Sequence, residues 1–222
     1  IKARKASRPY ANRARLLTLA FPGGDATPTG TYTPDGLPET VSTNNGGNAV
    51  TNGYVYNKRR LMSGESMKPD TAQLGWGMGY GYNALGQVVS EAYPASFAVN
   101  YTVNALGQTS QVTASADGGA ATTIASGASY FPNGALKQFT YGNGIVHTMT
   151  QNARQLPSLS VDGSVLNLTT TFDENGNVSA ITDATAAARQ TRSMGYDQLD
   201  RLTSTTSPMF GTASYVYDTL DN

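Results

Sequence analysis

Hydrophobic and polar residues alternate along most of this chain in short runs, and turn-forming dipeptides separate the runs. Tyr80 and Tyr82, for example, fall on alternate residues, which places both rings on one face of a strand. In Asn-Gly and Asp-Gly dipeptides the first residue tolerates a positive φ and Gly adopts one freely. They stand at Asp35-Gly36, Asn45-Gly46, Asn52-Gly53, Asp117-Gly118, Asn133-Gly134, Asn143-Gly144, Asp162-Gly163 and Asn175-Gly176. The pattern predicts repeated β-hairpins.

One motif recurs: Tyr, then Asp or Asn, a turn, and a return into an apolar residue. Clear copies cover 80–88, 194–202 and 215–222, looser copies cover 54–61, 101–109 and 171–178, and weak copies cover 32–37, 130–136 and 149–156. With the Asp or Asn as marker, the copies stand at 35, 57, 83, 104, 133, 152, 173, 197 and 218, at spacings of 19 to 29 residues. Such a unit holds two strands and two turns, so we expect one hairpin per repeat.

Each residue type in the motif has a physical task. The Asp or Asn can accept hydrogen bonds from backbone N–H groups inside the turn, and Gly can take the left-handed position. The apolar residue after the turn, such as Val88, Val178 or Leu202, starts the returning strand. The signature residues are Tyr54, Tyr56, Asn57, Tyr80, Tyr82, Asn83, Gly86, Tyr101, Asn104, Gly107, Asp173, Gly176, Tyr196, Asp197, Arg201, Leu202, Tyr215, Tyr217 and Asp218. Because a lone hairpin is marginal in water, the units are expected to pair laterally.

At residues 196–202 and 215–220 the chain resembles the YD or Rhs repeat, whose usual form is Tyr-x-Tyr-Asp-x-x-Gly-Arg-Leu. The resemblance extends from about Thr31 to Asn222, and the copy from Tyr56 to Leu61 reads as one residue short in its turn. Further departures are Asp200 and Asp221 for glycine, Asn83 and Asn104 for aspartate, and Gln87 and Gln108 for arginine.

The resemblance implies an all-β fold in which repeated hairpins form a spiral ribbon, part of a large hollow β-shell. In bacterial polymorphic toxins such a shell encloses a carboxy-terminal toxin domain. The implied partners are therefore the remaining repeats and the toxin cargo of the same polypeptide, with secretion-machinery proteins as further partners. The resemblance also implies that the protein is secreted or lies at the cell surface, and that it acts in competition between bacteria. Residues 1–30 are expected to belong to a preceding repeat, and residues 31–222 to hold about nine units, the last truncated, with the toxin beyond Asn222.

Composition removes several alternatives. The chain has 15 basic and 15 acidic residues, so it lacks the positive excess that nucleic acid or an anionic membrane attracts. The absence of cysteine excludes disulfides and thiolate metal sites. No apolar run approaches the roughly 20 residues of a membrane helix. Six of the fifteen basic residues lie within residues 2–15, where we expect a solvated edge.

Candidate chemistry is sparse. His147 is the one imidazole, no Gly-x-Ser-x-Gly motif surrounds a serine, and a strand-surface histidine is expected. Residues 75–81 imitate a glycine-rich phosphate loop, but no helix signal follows, so Trp76 is expected to pack against a neighbouring sheet. Residues 173–178 imitate a calcium loop with a misplaced glycine, which favours a hairpin turn. The protease-like Asp-Pro-x-Gly-Leu motif of the family is absent, since Asp35-Gly36-Leu37 lacks the proline. No catalytic residue, cofactor or metal is predicted.

Two alternatives to the shell stay open. The first is an extracellular adhesive or phage-fibre-like β-repeat protein that binds glycans or a receptor through exposed Tyr and Trp. The second is a β-helical glycan-cleaving enzyme, which would assemble paired carboxylates across distant turns. The shell predicts mixed polar and apolar faces without a dense core. One short helical turn or loop is expected from Asp183 to Gln190.

Overall fold

The chain is described by a computed structural model that covers residues 10–11, 15–19, 28–45, 48–69, 75–185 and 191–218. Within these ranges the chain forms strands and turns and no helix. The predicted all-β fold of repeated hairpins is confirmed. The chain divides into two compact units, residues 1–108 with 113–122 and residues 109–112 with 123–222.

The first unit is an antiparallel meander. Its strands are β1 (Tyr10–Ala11), β2 (Arg15–Leu16), β3 (Thr29–Tyr32), β4 (Pro38–Asn45), β5 (Asn48–Tyr56), β6 (Met62–Pro69), β7 (Trp76–Tyr82), β8 (Val88–Tyr93) and β9 (Phe97–Val103). β1 pairs with β2, and from β3 to β9 each strand pairs with the next one in the sequence. The turn predicted at Asn52-Gly53 is wrong: both residues lie inside β5, where a Cβ on Gly53 would stand 2.9 Å from the Ser66 hydroxyl.

The second unit repeats this arrangement. Strand β10 (Thr109–Ser115) is divided between the units after Val112. The remaining strands are β11 (Thr122–Tyr130), β12 (Leu136–Tyr141), β13 (Val146–Gln151), β14 (Pro157–Asp162), β15 (Leu166–Phe172), β16 (Val178–Asp183), β17 (Thr191–Tyr196), β18 (Leu202–Ser207) and β19 (Gly211–Ser214). From β11 to β19 each strand pairs with the next, antiparallel. The helical turn predicted from Asp183 lies largely outside the described residues.

Antiparallel pairing fixes where the turns lie. In a meander, successive turns fall at alternate ends of the strands. The turns that follow the aromatic pairs therefore line one edge of each unit, which we call the repeat-turn edge, and the others line the opposite edge. After the repeat turns, Val88, Val178 and Leu202 each begin the returning strand, as predicted.

The sheets bury little. Among the described residues Ala114 is the one apolar residue that is almost fully buried, at 6% exposure, while Asp183 and Ser207 are the buried polar ones. This confirms the expected lack of a dense core. Cross-strand hydroxyl pairs instead add to the backbone ladder, as between Thr31 and Thr40 at 2.7 Å. Such pairs each contribute about 0.2–1 kcal/mol.

Candidate functional site: the repeat turn

On the repeat-turn edge eight hairpins share one five-residue turn, whose residues we number positions 1 to 5. In the turn at Asn83, the Asn83 N–H donates to the Gln87 carbonyl and the Gly86 N–H donates back to the Asn83 carbonyl, both at 3.0 Å. Position 4 is left-handed in all eight turns, with φ between 60° and 97°. The geometry is that of a turn followed by a β-bulge. Position 1 is held by Thr33, Asn57, Asn83, Asn104, Phe131, Asn152, Asp173 and Asp197.

Two predicted markers are wrong by two residues. Asp35 and Asn133 occupy position 3, because Thr33 and Phe131 make the backbone hydrogen bonds of position 1. The Asp-Gly and Asn-Gly dipeptides at these sites imitate a marker, although the glycine there is position 4. With the structural positions the eight turns begin 21 to 27 residues apart, which is more regular than the predicted spacing.

The turn at Asn57 is not shortened, contrary to the prediction. Asn57 donates to the carbonyl of Leu61 across the same five residues, and Arg60 takes the left-handed position with φ 65°. Met62, rather than Leu61, begins the returning strand. The arginine at position 4 hid the register, because that position usually holds glycine.

The position 1 side chain holds the turn together. Asn83 Oδ1 accepts hydrogen bonds from the N–H groups of Leu85 at 2.9 Å and Gln87 at 3.1 Å. The same two bonds occur at Asn57, Asn104, Asn152 and Asp197, all between 2.9 and 3.1 Å. An oxygen that accepts two N–H groups is therefore shared by these five turns and does not need a charge, while Phe131 forms the same backbone turn without an acceptor.

Positions 1 and 5 also pair through their side chains. Asp197 binds Arg201 through a guanidinium contact of 2.7 Å. In two of the four Asn turns Gln stands at position 5: the Asn83 amide donates to the Gln87 carbonyl oxygen at 2.7 Å, and Asn104 donates to Gln108 at 3.0 Å. In these two turns the departures from the usual motif occur as complementary pairs that keep the side-chain hydrogen bond, whereas Leu61 and Leu156 hold position 5 in the other two.

The charged turns carry perturbed carboxylates. The Arg201 N–H and guanidinium groups hold the pKa of the Asp197 carboxyl below its usual range. Desolvation raises the pKa of Asp173, but hydrogen bonds from Asn177 and Gly176 outweigh it and the net pKa is lowered. The Thr33 hydroxyl lowers the pKa of Asp35. These carboxylates are stabilised as anions by groups inside their own turns.

In four repeats a tyrosine hydroxyl connects the repeat to the one before it. The tyrosine that precedes position 1 donates to the carbonyl oxygen of the residue that follows position 5 in the preceding turn. The pairs are Tyr82 with Met62, Tyr130 with Thr109, Tyr196 with Val178 and Tyr217 with Leu202, at 2.6 to 3.0 Å. We call this contact the tyrosine staple.

Arginine reinforces the staple where position 5 is basic. The Arg201 guanidinium lies over the Tyr217 ring at 4.6 Å from its centroid. Arg15 lies over Tyr32 in the same way at 5.2 Å, and the Tyr32 hydroxyl donates to the Leu16 carbonyl at 2.7 Å. Residues 15–16 therefore offer Tyr32 the contacts that residues 201–202 offer Tyr217.

Comparison with known families bears on these turns. A family model for the RHS repeat matches residues 172–209, which contain the turns at Asp173 and Asp197. Residues 172–209 therefore carry an RHS repeat. Its Tyr196, Asp197, Arg201 and Leu202 form the most complete copy, and the Asn-type turns are variants of the same geometry. No curated protein sequence matches the chain.

Solved structures share the fold. In the crystal structure titled TcdB2-TccC3-Cdc42, the match has a TM-score of 0.69 and 13% identity and covers 98% of this chain. In the Photorhabdus luminescens Tc holotoxin pore, it has a TM-score of 0.70 and 13% identity and covers the whole chain. In both cases this chain spans 15% of the matched chain.

Tyr80, Tyr93 and Tyr101 have surroundings that the sequence did not predict. The Tyr80 hydroxyl donates to Glu65 at 2.6 Å, and this bond raises the pKa of Tyr80 to about 12. Tyr93 and Tyr101 both donate to Glu91, at 2.7 and 3.0 Å. Two carboxylates and three tyrosines thus interact across β6 to β9. Each carboxylate accepts tyrosine hydroxyls, which is a structural use of both acids.

The other signature residues lie close to these contacts. Tyr54 and Tyr56 stand on β5, where Tyr54 pairs with Glu65 and Tyr56 with Met62. Tyr215 is 42% exposed, while Tyr217 makes a staple. The turn that Asp218 would begin lies outside the described residues.

His147 belongs to a cross-strand row. It pairs with Phe139 on β12 and with Asp162 on β14, and its Nδ1 atom lies 2.6 Å from the Asp162 carboxylate. The Phe139 ring lies 4.9 Å away, centroid to centroid. The histidine is a strand residue, as expected, but it is partly buried against an acid and an aromatic ring rather than lying on an open surface.

The remaining chemical motifs are strand and turn. Residues 76–81 lie within strand β7, and Trp76 is 38% exposed. The packing of Trp76 against a neighbouring sheet stays a prediction. The calcium-like residues occupy a repeat turn, in which the amides of Asn175 and Asn177 donate to Asp200 at 2.8 and 2.7 Å. Within the described ranges, no group of three His, Cys, Asp or Glu side chains could hold a metal ion, and no helix is long and apolar enough to cross a membrane.

Proposed function

We propose that this chain is a non-catalytic structural segment of an Rhs-type shell that encloses a carboxy-terminal toxin domain of the same polypeptide. The observation that carries the proposal is a meander of near-identical hairpins with almost no buried apolar core among the described residues. A sheet of this kind suits a wall, because its strands are covered laterally by neighbouring hairpins and leave few open edges.

The matched structures support the finer part of the proposal. One of them is titled TcdB2-TccC3 without hypervariable C-terminal region, and it covers 97% of this chain at a TM-score of 0.68 and 13% identity. That protein therefore combines this fold with a variable carboxy-terminal region. By analogy, we propose that the remaining repeats and a variable toxin are the partners of this segment, and that the whole polypeptide is a secreted bacterial effector. Residues 1–30 are proposed to belong to the preceding repeat.

We also propose that this segment is not catalytic. The carboxylates Glu65 and Glu91 accept hydrogen bonds from tyrosines, and Asp162 binds His147. The turn aspartates accept backbone N–H groups. These acids have structural partners, which supports a scaffold over a glycan-cleaving enzyme.

Limited proteolysis of the full-length polypeptide tests the shell. We expect its carboxy-terminal domain to resist protease, and to become sensitive when two glycines are inserted between Ala84 and Leu85 to break a repeat turn. The matched control inserts two glycines between Gly163 and Ser164 on the opposite edge and should keep the protection. If the carboxy-terminal domain of the unaltered polypeptide were digested as fast as the same domain expressed alone, enclosure would be wrong.

Exposed Trp76 favours a second candidate, the glycan-binding adhesive. Glycan-array binding by this chain that disappears in Trp76→Ala would support the adhesive. An array without binding, together with protease protection in the full-length polypeptide, would support the shell.

A further inference from the structure

Five pairs of successive repeat turns touch through positions 3 and 4, in one of two ways. In the first way, a polar side chain at position 3 meets a polar side chain at position 4 of the next turn. The Asn133 amide donates to the Gln155 side chain at 3.0 Å, and the Asn175 amide donates to Asp200 at 2.8 Å. Asp35 meets Arg60 with an N···O distance of 3.6 Å. We call this the polar match.

In the second way, an arginine at position 3 reaches across a glycine. Arg59 donates to the Asn83 carbonyl at 2.9 Å, and a Cβ on Gly86 would stand 3.0 Å from the Arg59 guanidinium. The second unit repeats the contact: Arg154 donates to the Asp173 carbonyl at 3.0 Å, and a Cβ on Gly176 would stand 3.1 Å from the guanidinium. We call this the arginine match. It requires the empty space that glycine leaves.

The two matches account for the residue at position 4. A non-glycine residue in the left-handed region costs free energy, because its Cβ crowds the backbone. Among the eight described turns this strain occurs at Arg60, Gln155 and Asp200, and each of the three follows a turn with Asp or Asn at position 3. The other four turns with a described predecessor follow Arg or Leu at position 3 and have glycine at position 4. The strained residues therefore occur where a partner from the preceding turn compensates them.

We infer that positions 3 and 4 form a recognition surface between successive hairpins, which determines which hairpin fits after which. A turn with Asp or Asn at position 3 fits a following hairpin with a polar side chain at position 4. A turn with Arg at position 3 fits a following hairpin with glycine there. The partner of this surface is the next hairpin of the same polypeptide, so the inference stands whether or not the polypeptide encloses a toxin.

Exchange of one match for the other in the second unit tests the inference. Gly176→Gln alone should raise the hydrogen exchange of amides in the β15–β16 hairpin about tenfold, because it adds backbone strain and crowds Arg154. Adding Arg154→Asn should create a polar match and reduce the rise to about twofold, since contacting residues couple. Mass spectrometry of the intact chain resolves this hairpin, and far-UV circular dichroism checks that each variant folds.

A second pair of substitutions changes a polar match into an arginine match, and it tests the inference if Gly176→Gln does not fold. Asn133→Arg should raise the exchange of the β13–β14 hairpin about threefold, and adding Gln155→Gly should remove most of that rise. As the control, Asn133→Arg is combined with Asp200→Gly, three turns away, and the two effects should multiply. If the adjacent pairs also multiplied within about twofold, the recognition surface would be disproved.

Discussion

The two edges of each sheet differ although the same strands join them. On the repeat-turn edge all eight turns have five residues and one hydrogen-bond pattern. On the opposite edge the hairpins turn in several ways: three residues separate Tyr93 from Phe97 and Asp162 from Leu166, whereas the turn from Tyr141 to Ile145 has the backbone pattern of the repeat turns. Regularity is therefore a property of one edge.

The difference teaches where the repeat is encoded. Only on the repeat-turn edge does the motif provide an acceptor at position 1 and a tyrosine staple to the preceding repeat. These contacts fix the spacing of neighbouring hairpins, and the loops of the opposite edge can then vary in length without changing it. Four predictions follow from this contrast, in order of decreasing effect.

A two-glycine insertion should give the largest difference in stability loss between the two edges. Two glycines between Ala84 and Leu85 should lower the free energy of unfolding by about 2–3 kcal/mol, because the Asn83 acceptor loses both N–H partners. The same insertion between Gly163 and Ser164 should cost about 0.6 kcal/mol, the entropy of a longer loop. Urea unfolding followed by circular dichroism measures both values. Equal losses would contradict the contrast between the edges.

Removal of the position 1 acceptor should have the next largest effect. Asn83→Ala and Asp197→Ala should each lower the free energy of unfolding by about 1–2 kcal/mol, because two N–H groups lose their acceptor. Asn143→Ala on the opposite edge should cost about half as much, since Asn143 accepts one N–H group, that of Ile145. A much larger loss for Asp197→Ala than for Asn83→Ala would show that charge, and not the acceptor oxygen, maintains the turn.

The tyrosine staple should contribute less. Tyr196→Phe removes the hydroxyl that donates to the Val178 carbonyl and keeps the ring, so we expect a loss of about 1 kcal/mol. Tyr215→Phe is the matched control at an exposed ring and should change the free energy by less than about 0.5 kcal/mol. Denaturant midpoints of the two variants give the comparison, and an unchanged Tyr196→Phe midpoint would argue against the staple.

The smallest effect is a pH dependence confined to the aspartate turns. Because the folded-state pKa of Asp197 is lowered, its stabilisation is complete above the unfolded-state pKa of about 3.9 and is lost as the pH falls through the folded-state value. The stability advantage of the unaltered chain over Asp197→Asn should therefore shrink between about pH 5 and 2. Urea midpoints across this range measure it, with Asn83→Gln as a variant whose difference should not titrate.

Local chemistry predicted much of this structure. Alternating tyrosines fixed the strand faces, and the residues Asn83, Gly86 and Val88 carried the turn and the strand that follows it. At Thr33 the same reasoning failed, because a threonine hydroxyl can replace the carboxamide by accepting the Leu37 N–H at 3.0 Å. A motif read by residue type misses a substitution that preserves the hydrogen bond.

Side-chain contacts between strands could not be predicted from the sequence, for a different reason. The bonds from Tyr93 and Tyr101 to Glu91, and the pairing of His147 with Asp162, depend on the register between strands. Register follows from turns whose lengths vary on the opposite edge. The contacts between positions 3 and 4 required the alignment of neighbouring turns, which the misplaced markers at Asp35 and Asn133 obscured.

The tyrosine staples also have a direction. Every stapling hydroxyl binds a carbonyl 15 to 21 residues earlier in the chain. A hairpin emerging from the ribosome therefore finds its partner already synthesised, at a short loop-closure distance. Folding can advance one hairpin at a time during translation, as expected for chains whose units contact only their neighbours. A very long wall of this kind can thus be built without waiting for its far end.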